Sequence, residues 1–172
     1  MGYMGGSTID PTYYNLGDHT ETVQVDYDPT EISYEELLTV FFGSHDCSIS
    51  GAPAQYKSVI FYHDQEQESL ARQAKDDREA SSGAEVQTDI EEAGVFYLAE
   101  DYHQKYALQG NQLFLRDFQV MYSDFSDVVD STAAARVNGY LYGYGSKEKL
   151  LGEIDSFGLS KESKERLLAL VY

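Results

Sequence analysis

The spacing of apolar residues changes along the chain, and that change limits the fold more than any other feature. In residues 22–27, Thr-Val-Gln-Val-Asp-Tyr, the side chains of Val23, Val25 and Tyr27 fall on one face and polar residues on the other, the period-two pattern of a half-buried strand. Asp28-Pro29 ends it. Ser33 followed by Glu36 is a capping-box pattern, and Leu37, Leu38, Val40 and Phe41 continue from it at helical spacing. A second strand is predicted over 57–62, a charged helix capped by Asp64 and running toward Glu79, and a third strand over 86–90. This alternation of strands and helices specifies an α+β, two-layer sheet-and-helix domain. After about residue 107 the strand signals stop. Helical patterns follow near 113–121, 125–137, 147–154 and 161–170, punctuated by Gly139, Gly143, Gly145 and Gly158. The chain therefore divides into a core at 1–106 and a helical extension at 107–172, an organisation that suits 172 residues better than two full domains.

Charge and cysteine content narrow the function classes. Twelve Lys+Arg against 30 Asp+Glu give a formal charge of −18. That field repels phosphate backbones and anionic lipid, so neither nucleic acid nor membrane is an expected partner. Cys47 is the only cysteine, which rules out an intrachain disulfide and favours a reducing, cytoplasmic location. Residues 1–6 lack the basic-then-apolar order of a signal peptide. The stretch 37–42 is far shorter than the roughly 20 apolar residues a membrane helix needs. Four histidines are scattered without His-x-x-x-His or paired-cysteine spacing, so no metal site is expected. The glycine- and tyrosine-rich stretch 139–145 lacks the spacing of nucleotide-binding loops and reads as a turn between helices.

The chemistry-bearing residues come in short blocks: Gly2-Tyr3-Met4-Gly5-Gly6, Pro11-Thr12-Tyr13, His19-Thr20-Glu21, Gln55-Tyr56-Lys57-Ser58, and Ala99-Glu100-Asp101-Tyr102-His103-Gln104. In this order, with Tyr27-Asp28-Pro29 and the segment 32–38 between them, they resemble the A-type peptide methionine sulfoxide reductases over roughly residues 2–106. The resemblance implies a ferredoxin-like plait, the reduction of methionine (S)-sulfoxide in peptides and proteins, a thioredoxin-type thiol as external reductant, and no cofactor. It places protein repair under oxidative stress as the setting.

Reducing a sulfoxide requires a nucleophile at sulfur and a proton for the departing oxygen. By the resemblance, Glu21 is the proton donor, the role of a carboxyl that keeps its proton in a pocket with limited water. Tyr13 and Tyr56 are the hydroxyls that hold the sulfoxide oxygen, and the block 100–104 braces the fold. The bland alternative makes the two tyrosines amphipathic packing residues and Glu21 a solvated strand edge. The tail 107–172 does not resemble the family's short cysteine-bearing C-terminus.

The nucleophile is where this chain departs from the pattern. In the family a Gly-Cys-Phe-Trp-type motif precedes the Gly-Tyr-x-Gly-Gly block, and this sequence opens after that point. The expectation is a plait missing its first strand and helix, in an N-terminally incomplete and catalytically silent chain. Losing a nucleophile costs on the order of 10⁶ in turnover, about 8 kcal/mol of barrier. Cys47, beside His45 in a loop shorter than the family's and lacking its Asn-Asp pair, is a candidate surrogate thiol, although its sulfenic acid would need an external thiol to resolve it. The competing expectations are a noncatalytic pseudoenzyme or interaction scaffold keeping part of the sulfoxide pocket, and a truncated gene product.

Overall fold

The computed structural model describes residues 1–171, which form two compact units, Met1–Ala99 and the residues from Glu100 onward. The fold is mixed α/β, with small sheets in the first unit and helices throughout the second.

Strand β1 (Gly2–Met4) is the centre of a three-stranded antiparallel sheet, flanked by β2 (Thr20–Thr22) and β5 (Tyr97–Leu98), with Tyr3 opposite both Glu21 and Tyr97. The sequence carries no strand signal for β1, because it is three residues long and begins on a glycine. That glycine is required. A Cβ on Gly2 would fall 2.2 Å from the Phe96 ring, so only a bare Cα lets the strand lie there. Tyr3, Leu16 and Ala99 form the small core of this sheet.

Helix α1 (Tyr34–Gly43) begins where its capping box predicts, with Ser33 accepting from the Glu36 backbone and Glu36 from the Ser33 backbone. Strand β3 (Val59–Tyr62), helix α2 (Gln65–Ser82) and strand β4 (Asp89–Glu92) form a β-α-β unit whose two strands are parallel, as a crossover helix allows. Asp64 caps α2 by accepting from Gln67 N–H, and Gly83 closes it at φ +69°. Leu38, Phe42, Cys47, Ile60, Ala71 and Val86 make up the core between these elements.

Two strands differ from their sequence patterns. The strand expected over 22–27 stops at Thr22, and Val23 and Val25 are exposed at 63% and 56% without a ladder partner. The strand expected over 86–90 is displaced to Asp89–Glu92. Val86 is buried and its N–H goes to the Glu79 carboxylate, while Gln87 N–H goes to the Cys47 carbonyl, so pairing with β3 starts only when Asp89 N–H reaches Ser58 O.

The second unit contains α3 (Tyr106–Gln109), α4 (Gln112–Met121), α5 (Phe125–Asp130), α6 (Thr132–Leu141), α7 (Lys147–Glu153) and α8 (Lys161–Leu170). They surround one core that includes Leu108, Phe114, Phe118, Val137, Leu150 and Leu167. The helical pattern over 125–137 is split at Ser131, whose extended backbone ends α5 and whose hydroxyl accepts from Ala134 N–H to cap α6.

Candidate functional site

The site-bearing residues of the first unit are brought together by two local devices. A 3₁₀ turn at Ala54–Tyr56, entered through Pro53, presents Gln55 and Tyr56 side by side. It is fastened to β2 by Thr20 Oγ1, which donates to Ala54 O at 2.9 Å. Just past the turn, Lys57 Nζ lies 2.5 Å from Glu91 and 3.5 Å from Asp89, both on β4. Tyr13 sits in a tight turn where Thr12 and Asn15 bridge, with the Tyr14 ring edge-on at 5.4 Å.

A second set of contacts fixes the loop leading into β2. His19 is buried, its Nδ1 accepting from Gly6 N–H at 3.1 Å and its Nε2 lying 2.8 Å from Thr8 O. The neutral ring protonated on Nε2 satisfies both contacts. Asp18 accepts from Ser7 N–H at 2.8 Å and Ser7 Oγ at 3.0 Å. The Ser7 backbone bond first, then its hydroxyl, lowers the Asp18 carboxyl from 3.8 to about 2.

Glu21, half-buried on β2, accepts from Gln55 Nε2 at 2.7 Å. The Tyr56 hydroxyl is hydrogen-bonded by the side chains of Gln55 and Tyr13 and lies within range of the Glu21 charge. Partial desolvation first, then the Glu21 carboxylate and Tyr13, pushes the Tyr56 phenol above its ordinary value, while the Gln55 bond pulls it down. The result is one acid, two phenols and an amide gathered around Tyr56 and Gln55. Tyr13 and Tyr56 are 38% and 60% exposed, so the cluster opens to solvent on one side. Gln55 belongs to this group although sequence reasoning gave it no role. Its signal was its place at the head of the block Gln55-Tyr56-Lys57-Ser58.

The cluster borders a groove of about 600 Å³ whose lining includes Glu21, Tyr56, Val23, Leu37, Phe41 and Ile60. Each flanking strand is paired on one side only among the described residues, β2 with β1 and β3 with β4. Cys47 is elsewhere, buried in the core between α1, α2 and β3, with its Sγ 3.6 Å from the carbonyls of Phe42 and His45. His45 does not face that thiol. Its Nε2 bonds Ser58 Oγ at 2.9 Å and its Nδ1 lies 3.2 Å from Ser44 Oγ. Among the described residues no group of three His, Cys, Asp or Glu side chains is placed to hold a metal ion, and no helix is long and apolar enough to cross a membrane. The block 100–104 forms a 3₁₀ turn opening the second unit, where Gln109 Nε2 donates to the carbonyls of Asp101 and Gln104.

The family described as peptide methionine sulfoxide reductase matches residues 1–132. The chain belongs to that family. A peptide methionine sulfoxide reductase of Drosophila melanogaster is 38% identical over 167 residues, covering 96% of this chain and 67% of the fly protein. Peptide methionine sulfoxide reductase A5 of Arabidopsis thaliana is 38% identical over 145 residues, 81% of this chain and 56% of the plant protein. The crystal structure of Mxr1 from Saccharomyces cerevisiae in reduced form is similar with a TM-score of 0.59 at 30% identity, covering 64% of this chain and 68% of that one. The chain thus spans between about half and two thirds of these relatives. The match to this reductase family runs past residue 106 into the helical unit, and the fly alignment takes in nearly all of that unit. The tail that does not resemble the family's short cysteine-bearing C-terminus is therefore shared with at least one relative.

Proposed function

We propose that this chain carries the oxygen-binding half of a methionine sulfoxide site, in which Glu21 donates the proton and Tyr13 and Tyr56 hold the sulfoxide oxygen. The observation that supports it is that Gln55 links Glu21 to Tyr56, with Tyr13 beside Tyr56, at the edge of an apolar groove. The groove offers a place for a methionine side chain, and the hydroxyls meet the oxygen where negative charge develops. Tyr56, held above its ordinary value, keeps its proton at neutral pH and serves as a donor.

In the full reaction a thiol attacks the sulfoxide sulfur. The oxygen leaves as water after taking up protons, and two thiols become a disulfide while the sulfoxide becomes a thioether. The reductant in this reading is a thioredoxin-type thiol of the cytoplasm, with no prosthetic group. The attacking thiol is the part this chain does not place at the site. Cys47 is 3% exposed, and nucleophilic cysteines need access and thiolate character. We therefore read these residues as binding sulfoxide without supplying the attacking thiol.

The same groove supports a finer reading of the fold, a plait lacking a strand and helix. Its lining takes in residues of β2 and β3, each paired on one side only among the described residues, and the buried Tyr34 hydroxyl that also lines it has no hydrogen-bond partner among those residues.

Incubating the chain with dithiothreitol and a methionine sulfoxide peptide should yield no methionine, and calorimetry with that peptide should give weak heat that disappears in Tyr56→Phe. Robust turnover abolished by Cys47→Ser would overturn the noncatalytic reading. Binding unaffected by Tyr56→Phe or Glu21→Gln would remove the sulfoxide site itself.

A further inference from the structure

Gln55 stands at the junction of the cluster yet has no part in transferring a proton or holding the sulfoxide oxygen. A primary amide offers two N–H donors and one carbonyl acceptor from a single planar group. Here its nitrogen reaches Glu21 Oε1 at 2.7 Å, and its side chain also bonds the hydroxyl of Tyr56, the next residue in the turn. Glu21 and Gln55 lie 34 positions apart in sequence, on different elements. Because Thr20 anchors the turn through Ala54 O, the amide is delivered from a fixed backbone rather than a loose loop. Gln55 is itself half-buried, so losing its partner would leave a poorly solvated polar group.

We propose that Gln55 is a positioning residue that fixes the Glu21 carboxyl and the Tyr56 hydroxyl relative to each other and directs the exchangeable proton of Glu21 to Oε2. This rests on the sulfoxide-site reading for its purpose but not for its test. An N–H aimed at Oε1 favours carbonyl character on that oxygen and leaves the other to carry the proton. The same amide keeps the phenol beside the acid, so one substitution at Gln55 loosens both groups while removing neither.

The decisive measurement is the side-chain amide resonance of Gln55 in the nitrogen–proton spectrum of the full chain. One of its two protons should lie downfield of a free amide and move as the pH is lowered. In Glu21→Ala the signal should return to the free-amide position and stop moving with pH. A signal that is unchanged in Glu21→Ala overturns the proposal. That measurement leaves Gln55 intact, so it holds even if a variant at Gln55 folds poorly. As a second readout, Gln55→Leu, of similar size but without donors, should bind the methionine sulfoxide peptide about three- to tenfold more weakly, with a displaced pH midpoint. Binding weakened equally at every pH overturns the directing of the proton. If the wild-type chain binds no sulfoxide peptide while the amide signal still follows Glu21, the positioning contact stands and the sulfoxide reading falls.

Discussion

The two units distribute buried apolar surface differently. Among the described residues, the helical unit has a single cluster of thirteen buried residues, from Leu108 to Val171. The sheet unit, the larger in sequence, divides its burial between a six-residue cluster and one of three, and keeps an apolar groove open beside them. Apolar burial is the dominant favourable term in folding. The difference teaches that the unit holding the candidate site depends more on individual hydrogen bonds, those of Thr20, Lys57, Asp18 and His19, to keep short strands and turns in place. Such regions open at lower free energy than a continuous core.

The largest expected effect tests that contrast directly. Phe118→Ala removes a fully buried ring from the helical core and should cost about 3–5 kcal/mol. Leu38→Ala in α1 also removes a buried side chain, but Leu38 lines the groove, so the space left behind joins an open one. Its cost should fall near the low end for such changes, about 2 kcal/mol. Urea unfolding of the full chain, read by amide exchange in each unit separately, measures both. A Leu38→Ala cost equal to that of Phe118→Ala would mean the groove is filled in solution and the contrast is false.

Helix caps sharpen the comparison on a smaller scale because they apply the same chemistry at different burial. Ser131 is buried, caps α6 through Ala134 N–H and accepts from the Tyr122 hydroxyl at 3.2 Å. Ser33 is partly exposed and caps α1 through the reciprocal bonds with Glu36. Ser131→Ala should cost about 2 kcal/mol and Ser33→Ala about 1 kcal/mol, since only the first strands a buried donor. Thermal unfolding of the two variants gives the order, and the reverse order would show that burial does not set the value of these caps.

These elements also show what could be read in the sequence. Helix α1 was legible because its start is written in two residues, Ser33 and Glu36, that satisfy each other locally. Helix α2 was legible from Asp64, whose carboxylate caps its first turn through Gln67 N–H just three residues on. Strand β1 was not, because its three residues owe their conformation to Tyr3 and Met4 being buried between β2 and β5 and to the close approach of Phe96 to Gly2. All of those partners are distant in sequence. The segment 23–27 shows the opposite failure. Its alternation is written clearly, yet a strand needs a neighbour, and none pairs with Val23 or Val25 among the described residues. In the site, Glu21, Tyr13 and Tyr56 were found through motif order, whereas Gln55 was passed over because an amide has no charge or nucleophile to advertise it.

The smallest expected effect concerns two carboxylates, one in each unit, that both accept from serines. Asp18 is exposed and is lowered to about 2 by the Ser7 backbone and hydroxyl bonds. At Asp117 partial burial works against ionisation, but bonds from Ser163 and Ser160 outweigh it and the carboxyl is still lowered. A carboxyl lowered on folding stabilises the native state fully above its unfolded value, and that stabilisation disappears as pH falls through the folded value. For Asp18 the window is therefore from 3.8 down to about 2. The difference in Ser7 and Thr8 amide protection between wild type and Asp18→Asn should be widest above pH 4 and close as pH approaches 2, with the helical unit unaffected. In Asp117→Asn the closing difference should appear at Ser160 instead. Because Asp18 holds the loop that leads through His19 to Glu21, acid should loosen the approach to the candidate site while the helical core is still protected. If both units lose protection together over that range, the sheet unit is not the weaker partner, and the contrast drawn from their cores fails where it was expected to be most sensitive.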